Sequence, residues 1–204
     1  MEFIFGINIH GYPLLGIFWN IFLAIVPCLI VHHLAKSVGQ RKWKDLKSHT
    51  IAFVLIFLFW FFMFPNTAYL FMIPRHLVDY CDNYDKYRVC LDGGSWIVMI
   101  FAAYTLIGLP TFYYSLKKMG DIFKTLFNKT VSTAFPIIMI PLTSIAILFG
   151  LYSRFNSWDA LFRPVNLVNA LALYFTDTRM VVDFLVFTVC LYFIFYLTKY
   201  LLKG

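Results

Sequence analysis

The alternation of hydrophobic and polar positions divides the chain into five long apolar stretches joined by shorter polar segments. Each stretch has about 22 residues, and a helix of that length extends about 33 Å, enough to cross a hydrocarbon core of roughly 30 Å. The pattern therefore predicts an all-α fold, a polytopic transmembrane helical bundle that forms one integral membrane domain over the whole chain. The predicted spans are residues 14–35, 50–72, 95–116, 132–152 and 180–202.

A sixth apolar segment, residues 160–176, is interrupted by Arg163, Pro164, Asn166 and Asn169. Its uninterrupted apolar part is too short to cross a bilayer, so we expect a helix along the outer interface or a re-entrant segment packed against protein. A sixth crossing would move the C-terminus to the other side of the membrane, against the distribution of charge.

The composition supports a membrane location, because 61% of the residues are hydrophobic and only 13% are charged. The 24 phenylalanines suit lipid-facing helices better than the core of a water-soluble domain. The first residues lack the basic segment that precedes a cleavable signal sequence, so we expect the first span to be retained.

The net charge of +7 is unevenly distributed over the two sides of the predicted bundle. The loops after the first and third spans and the C-terminus hold eleven basic residues against Asp45 and Asp121, whereas the opposite side holds six basic and eight acidic residues. Lysine and arginine in short loops mark the cytoplasmic side. We therefore predict a multi-pass plasma-membrane protein with its N-terminus outside and its C-terminus in the cytoplasm. Anionic lipid accounts for the basic loops, and nucleic-acid binding is not expected.

Two of the four cysteines, Cys81 and Cys90, lie nine positions apart in the predicted outer loop. An oxidising compartment would permit a disulfide between them, and the alternative is a pair of free thiols. Cys28 and Cys190 lie within spans, where they suit helix packing. The cysteine spacing does not match a zinc site, so we predict no metal site, and the sequence identifies no cofactor.

Two polar runs stand out from the apolar background, one after the second span and one after the fourth, on the same predicted side of the membrane. Their candidate ligand-binding residues are Asn66, Tyr69, Arg75, His76, Arg154, Asn156, Trp158 and Asp159. An unpaired amide at Asn66 would be costly in lipid, so we expect it to find a partner in the bundle or to face a wet cavity.

The arginines of these runs indicate an anionic ligand. Guanidinium groups such as those of Arg75, Arg154 and Arg163 bind phosphate or carboxylate in a bidentate way. Tyr69 and Trp158 would line such a pocket or hold a lipid chain. The alternative is that arginine–aspartate pairs at the ends of spans only hold helices together.

Residues 65–69 read Pro-Asn-Thr-Ala-Tyr, His76 follows them, Asp92 precedes the third span, and residues 150–159 read Gly-Leu-Tyr-Ser-Arg-Phe-Asn-Ser-Trp-Asp. These motifs resemble a bacterial family of multi-pass membrane proteins that carries only a label of unknown function. The chain departs from that pattern where Thr-Ala replaces an Ala-Pro pair, and the loop between the two outer cysteines looks like an insertion. The resemblance implies a bacterial plasma-membrane protein and supplies no activity.

Three classes of function fit these residues. The first is an outward-facing pocket that binds, or helps to transport, a small anionic or zwitterionic solute or a lipid headgroup. The second is a structural or assembly subunit of a membrane complex, in which the polar clusters fix helix packing. Expected partners are membrane lipids, a small anionic ligand and, for transport, a second copy of the chain or another membrane protein.

The third class is an outer-leaflet enzyme that modifies lipid or envelope precursors. Helical spacing would place Arg75 and His76 on the face of Asp79, so His76 would act as base with Asp79 as its orienting carboxylate. Asp159 would supply a second acid or a metal ligand. Ser157 is the nearby hydroxyl nucleophile, and it lacks the glycine frame of a nucleophile elbow.

Overall fold

In the computed structural model, the structure is described for residues 8–9, 12–39, 46–75, 96–155 and 159–202. The helices are α1 (Leu14–Gly39), α2 (Leu46–Met63), α3 (Pro65–Tyr69), α4 (Trp96–Leu126), α5 (Lys129–Tyr152), α6 (Asp159–Phe162), α7 (Pro164–Thr176) and α8 (Thr178–Leu201). Within this part of the chain, five helical segments are long and apolar enough to cross a membrane, and α3 continues the second of them. The predicted all-α bundle with five spans is confirmed.

A short antiparallel pair of strands precedes the first helix. β1 (Asn8–Ile9) pairs with β2 (Tyr12–Pro13), and β2 leads directly into α1. With two residues in each strand, the pair is too small to form a core of its own. It therefore leaves the all-α class unchanged.

The third span is the one whose observed end differs most from the predicted end. We predict a basic loop after residue 116, whereas α4 continues to Leu126. Lysine is a good helix former and its long side chain reaches water, so the charges do not end the helix. α5 begins after Asn128, whose side-chain oxygen accepts a hydrogen bond from the Val131 N–H at 2.9 Å. The predicted loop is therefore a tight turn between two helices.

α1 and α5 share two neighbours in the bundle. The main contacts of α1 are with α2, α3 and α4, and those of α5 are with α3, α4 and α8. α3 and α4 therefore pack against both α1 and α5. α7 contacts α6 and α8. We refer to the end of the bundle at which α1 begins and α5 ends as the Arg154 end.

An aromatic cluster joins α2 to α4 and α5. The Trp60 indole is fully buried, and its ring centroid lies 4.8 Å from that of Phe64 and 5.8 Å from that of Phe135. Its N–H donates to Ser115 Oγ at 2.9 Å, which pairs the polar group of the indole inside the bundle. Phe112 is also fully buried, so phenylalanines pack inside this layer of the bundle as well as on its surface. Helix contacts in a bilayer depend on close packing, and aromatic rings supply large contact surfaces.

The chain just after α3 packs tightly against α4. A Cβ atom added at Gly108 would lie 2.9 Å from Phe71 Cε1 and 3.2 Å from Leu70 Cβ, closer than real Cβ contacts. Glycine therefore lets the α4 backbone approach the chain that follows α3. This contact helps to fix the position of α3, whose residues line the candidate site.

The segment predicted at 160–176 forms two helices, α6 and α7. Pro164 begins α7, because proline at the first helical position needs no N–H partner. α7 has 13 residues, so it is about 20 Å long and too short to cross a bilayer. Val165, Val168 and Leu173 expose apolar side chains on it. An interfacial or re-entrant position for α7 stays a prediction.

Candidate functional site

A cavity of about 580 Å³ lies between α1 and α5, and α2, α3 and α7 contribute to its walls. Its volume falls in the range of sites for small molecules. Most of the lining is hydrophobic, and the polar lining side chains are those of Asn20, Asn66, Tyr69, Thr143 and Arg154. An apolar body with a few polar groups is typical of sites for organic ligands.

One wall of the cavity is an irregular turn at Pro65, between α2 and α3, where Phe64 keeps helical backbone and the span continues to Tyr69. We call this turn the break. Pro65 has no N–H, so the Phe61 carbonyl lacks its donor four residues along the chain, and α2 ends at Met63. The Thr67 N–H donates to the Phe64 carbonyl at 3.0 Å as the helix resumes. In a bilayer, such irregular backbone is tolerated where it lies against protein or lines a wet cavity. Phe61, Met63 and Pro65 all line this cavity.

Asn66 repairs part of this break. Its side-chain Nδ2 donates to the Met63 carbonyl at 2.9 Å. In a regular helix that carbonyl would accept from the Thr67 N–H, which bonds to Phe64 instead. Asn66 also lines the cavity, so of the two alternatives expected for it the partner is present, in the Met63 carbonyl. The residue therefore has a structural role in addition to any contact with a ligand.

The end of α5 meets α3 at Gly150. A Cβ atom added there would lie 3.5 Å from Tyr69 Cε2, so the tyrosine ring is within contact distance of the α5 backbone. Both residues line the cavity. The ends of the second and fourth spans therefore lie together at the Arg154 end of the bundle.

Arg154 follows α5 in a backbone conformation that is unusual for a residue with a side chain. Its φ is 56°, in the left-handed region where glycine is the common residue after a helix. The N–H groups of Ser153 and Phe155 both donate to the Phe149 carbonyl, at 3.2 and 3.1 Å. Arginine in this conformation costs about 1 kcal/mol, and strain of this kind is concentrated at functional sites. Arg154 is exposed and lines the cavity, so its charge lies at the mouth.

Two hydroxyl contacts hold α7 and α8 against the end of α5. The Ser153 and Tyr174 hydroxyls are hydrogen-bonded to each other, and the Tyr152 hydroxyl donates to the Asp183 carboxylate. α7 consequently lies beside the cavity, and its Leu167 is one of the lining residues.

Three of the sequence-predicted site residues, Asn66, Tyr69 and Arg154, line this one cavity. Arg75 is not a lining residue. It lies in the short helical turn after α3, where it is half-buried, and its Nη2 has no hydrogen-bond partner in the part of the chain that the structure describes. Proximity to Tyr69 in the sequence therefore does not bring Arg75 into the cavity, because the chain turns between them.

Asp159 and Arg163 also lie outside the cavity lining. Asp159 begins α6 and is 8% exposed, and its Oδ1 lies 3.9 Å from Arg163 Nε. This is the pairing that their four-residue spacing predicts. The Arg163 side chain is 66% exposed and does not line the cavity, so the pair does not add a second guanidinium to it.

His76, Asp79, Asn156 and Trp158 lie outside the described residues, as do Cys81 and Cys90. The predicted base, its orienting carboxylate and the disulfide therefore stay predictions. Within the described ranges, no group of three or more His, Cys, Asp and Glu side chains could hold a metal ion.

Asn20 is a lining residue that the sequence analysis does not single out. It lies beside Trp19 on α1. A lone amide within an apolar span is the feature of the sequence from which a lining residue of this kind can be predicted. Thr143 is different, because its hydroxyl donates to the Met139 carbonyl of its own helix at 2.7 Å. Threonines of this kind are common in helices, so its place in the cavity has no signal in the sequence.

Comparison with models of protein families gives a match over residues 19–196 to the family described as Protein of unknown function (DUF1361). The chain belongs to this family. The match includes every residue that lines the cavity, and the expected resemblance to a family of unknown function is confirmed to that extent. No curated protein and no solved structure matches the chain. The family description supplies no activity, so the function has to be argued from the site.

Proposed function

We propose that the protein is a multi-pass protein of a bacterial plasma membrane whose cavity opens at the extracytoplasmic face and binds a small anionic or zwitterionic group. That group belongs to a solute or to a lipid headgroup, and its binding serves recognition or a step in transport. The observation that carries the proposal is the convergence of Asn66, Tyr69 and Arg154 on one cavity.

Arg154 supplies the positive charge for this ligand. A guanidinium presents several N–H donors in one plane, which suits the two oxygens of a phosphate or carboxylate. Asn20 lines the same cavity, and its amide can donate or accept a hydrogen bond from a zwitterion. The left-handed backbone of Arg154 also supports a functional role, because a glycine would fold there at lower cost.

The irregular turn at Pro65 lies against the cavity, and we take it to support a role in moving the ligand as well as binding it. Secondary transporters place their substrates at discontinuous helices, where the free backbone groups and helix ends are available. Complete transporters of that kind are commonly built from paired repeats, and no repeat is evident in this sequence. A transport role therefore involves a second copy of the chain or another membrane protein.

The orientation of the cavity follows from charge. Lys117, Lys118 and Lys124 lie on the last turns of α4, and Lys129 begins α5, at the end of the bundle opposite to Arg154. An excess of lysine marks the cytoplasmic side, which directs the cavity mouth to the extracytoplasmic side.

Thermal stability of the purified protein, measured with a panel of phosphate monoesters, carboxylates and zwitterions, tests the proposal. We expect at least one anionic compound to stabilise the wild type, and Arg154→Ala to weaken its binding about tenfold or more, since a charge-assisted contact contributes about 1.5–3 kcal/mol. Lys117→Ala removes an exposed charge at the opposite end and should leave binding unchanged. An absence of stabilising anions, or equal binding to Arg154→Ala, contradicts the proposal.

A structural role is the second candidate, and the bond from Asn66 to the Met63 carbonyl favours it. In that case the polar residues hold the broken span together for assembly into a larger membrane complex. Co-purification of a membrane partner, combined with no anion binding by the wild type, would favour this role over the first.

A further inference from the structure

We infer that the ligand is an amphiphile, with an anionic headgroup at Arg154 and a single hydrocarbon chain that extends from there into the apolar part of the cavity. The inference rests on the proposed function, because it identifies the chemical class of the ligand for that same site.

The cavity continues along α5 far beyond its polar mouth. Its lining runs from Gly150 back to Met139, eleven residues earlier, which corresponds to about 16 Å along the helix axis. Phe61 and Phe62 of α2 contribute further apolar surface to this part. A soluble ion at the mouth would leave this length without a matching group, whereas a hydrocarbon chain can fill it.

Two of the lining side chains also have exposed surface within the spans, where lipid chains lie in a bilayer. Trp19 on α1 is 51% exposed and Leu142 on α5 is 40% exposed, although both line the cavity. They belong to α1 and α5, which both line the cavity, so we infer a lateral opening between these two helices. An amphiphile can enter there with its headgroup at the membrane surface and its chain still in hydrocarbon.

The order of groups along the cavity matches an amphiphile that lies in one leaflet. Arg154 comes just after the end of the α5 span, at headgroup level, whereas Leu142 and Ala146 lie within the span. Arg154 is the charged residue of the lining, so one anionic group and one neutral chain match the whole cavity. A volume of about 580 Å³ is that of one small ligand, which favours a single chain over a complete two-chain lipid.

Native mass spectrometry with two probes tests the inference. Lysophosphatidate carries a phosphate and one acyl chain, and glycerol phosphate carries the same anionic group without the chain. We expect Ala146→Phe to weaken lysophosphatidate binding at least tenfold and to leave glycerol phosphate binding unchanged, because the added ring fills the apolar part and spares Arg154. Ala146→Leu fills less space and should give a smaller loss. Ala102→Phe, at an exposed position on α4, is the matched control and should bind both probes like the wild type.

The inference is overturned if folded Ala146→Phe binds lysophosphatidate as the wild type does, or if it loses both probes equally. If Ala146→Phe does not fold, the same comparison is made with Ala146→Leu. Arg154→Ala distinguishes the failure of the two proposals. If Arg154→Ala loses glycerol phosphate binding, the proposed function stands even where the Ala146 variants reject the chain site. If Arg154→Ala binds glycerol phosphate as the wild type does, both proposals are rejected.

Discussion

Arg154 combines a strained backbone with a charge at the mouth of the cavity, and two substitutions separate these properties. Glycine adopts the observed φ of 56° without strain, whereas alanine retains the strain, and both remove the guanidinium. We expect Arg154→Gly to be about 1 kcal/mol more stable than Arg154→Ala, and both variants to bind the anion about tenfold or more weakly than the wild type. Unfolding by a denaturing detergent measures the difference. Equal stability would show that the left-handed conformation is not costly at this position.

A second prediction concerns the contribution of the Asn66 side chain to stability. Asn66→Ala removes the donor to the Met63 carbonyl at the break between α2 and α3, which should reduce stability by about 1–3 kcal/mol. Asn20 lines the same cavity and serves as the matched control, since Asn20→Ala removes an amide without touching the break. The thermal stability of the two variants tests this predicted loss. A stable Asn66→Ala would mean that the amide does not hold the broken span together.

The position of α3 depends on how closely α4 approaches the residues that follow α3. Gly108→Ala places a methyl group 2.9 Å from Phe71 Cε1, so we expect a loss of about 1–3 kcal/mol and weaker anion binding as α3 shifts. Gly39 has nothing within 4 Å of its added Cβ, so Gly39→Ala should cost no stability. Thermal unfolding of both variants tests this. Similar melting temperatures for the two would contradict the close approach.

The lengths of most elements follow from the sequence, because an uninterrupted apolar run in a membrane satisfies its backbone hydrogen bonds by forming a helix. The turn at Pro65 is not predicted by the span 50–72, because proline removes one hydrogen bond of the ladder without always ending a helix. Pro27 and Pro110, for example, lie inside continuous helices.

The end of α4 is not predicted either, because Lys117 and Lys124 are compatible with both a helix and a loop. The division of 160–176 into α6 and α7 depends on Pro164, whose presence alone permits either a kink or a new helix.

In the bundle as a whole, successive spans cross the membrane in opposite directions, so the ends of the second and fourth spans lie on the same side. This much of the candidate site is predictable from the sequence. The sequence does not show which face each helix turns toward its neighbours. Thr143 of the cavity, and the positions of Arg75 and Asp159 outside it, are therefore consequences of packing that the order of residues alone does not reveal.

The predicted orientation can be tested in a variant in which serine replaces all four native cysteines. Phe127→Cys places a thiol at the exposed turn between α4 and α5, and Thr176→Cys places one at the end of α7. Because the lysine-rich end should face the cytoplasm, a membrane-impermeant maleimide should label Thr176→Cys in intact cells and Phe127→Cys only after permeabilisation. The reverse pattern would place the cavity mouth on the cytoplasmic side.

In the proposed function, Asn66, Tyr69 and Arg154 form one mouth that holds an anion. An experimental structure of the protein with tungstate, an anion shaped like phosphate, tests it most directly because tungsten gives a strong anomalous signal. We expect an anomalous peak in the cavity against the Arg154 guanidinium. Peaks confined to the lysine-rich end, with the three side chains on separate surfaces, would contradict it.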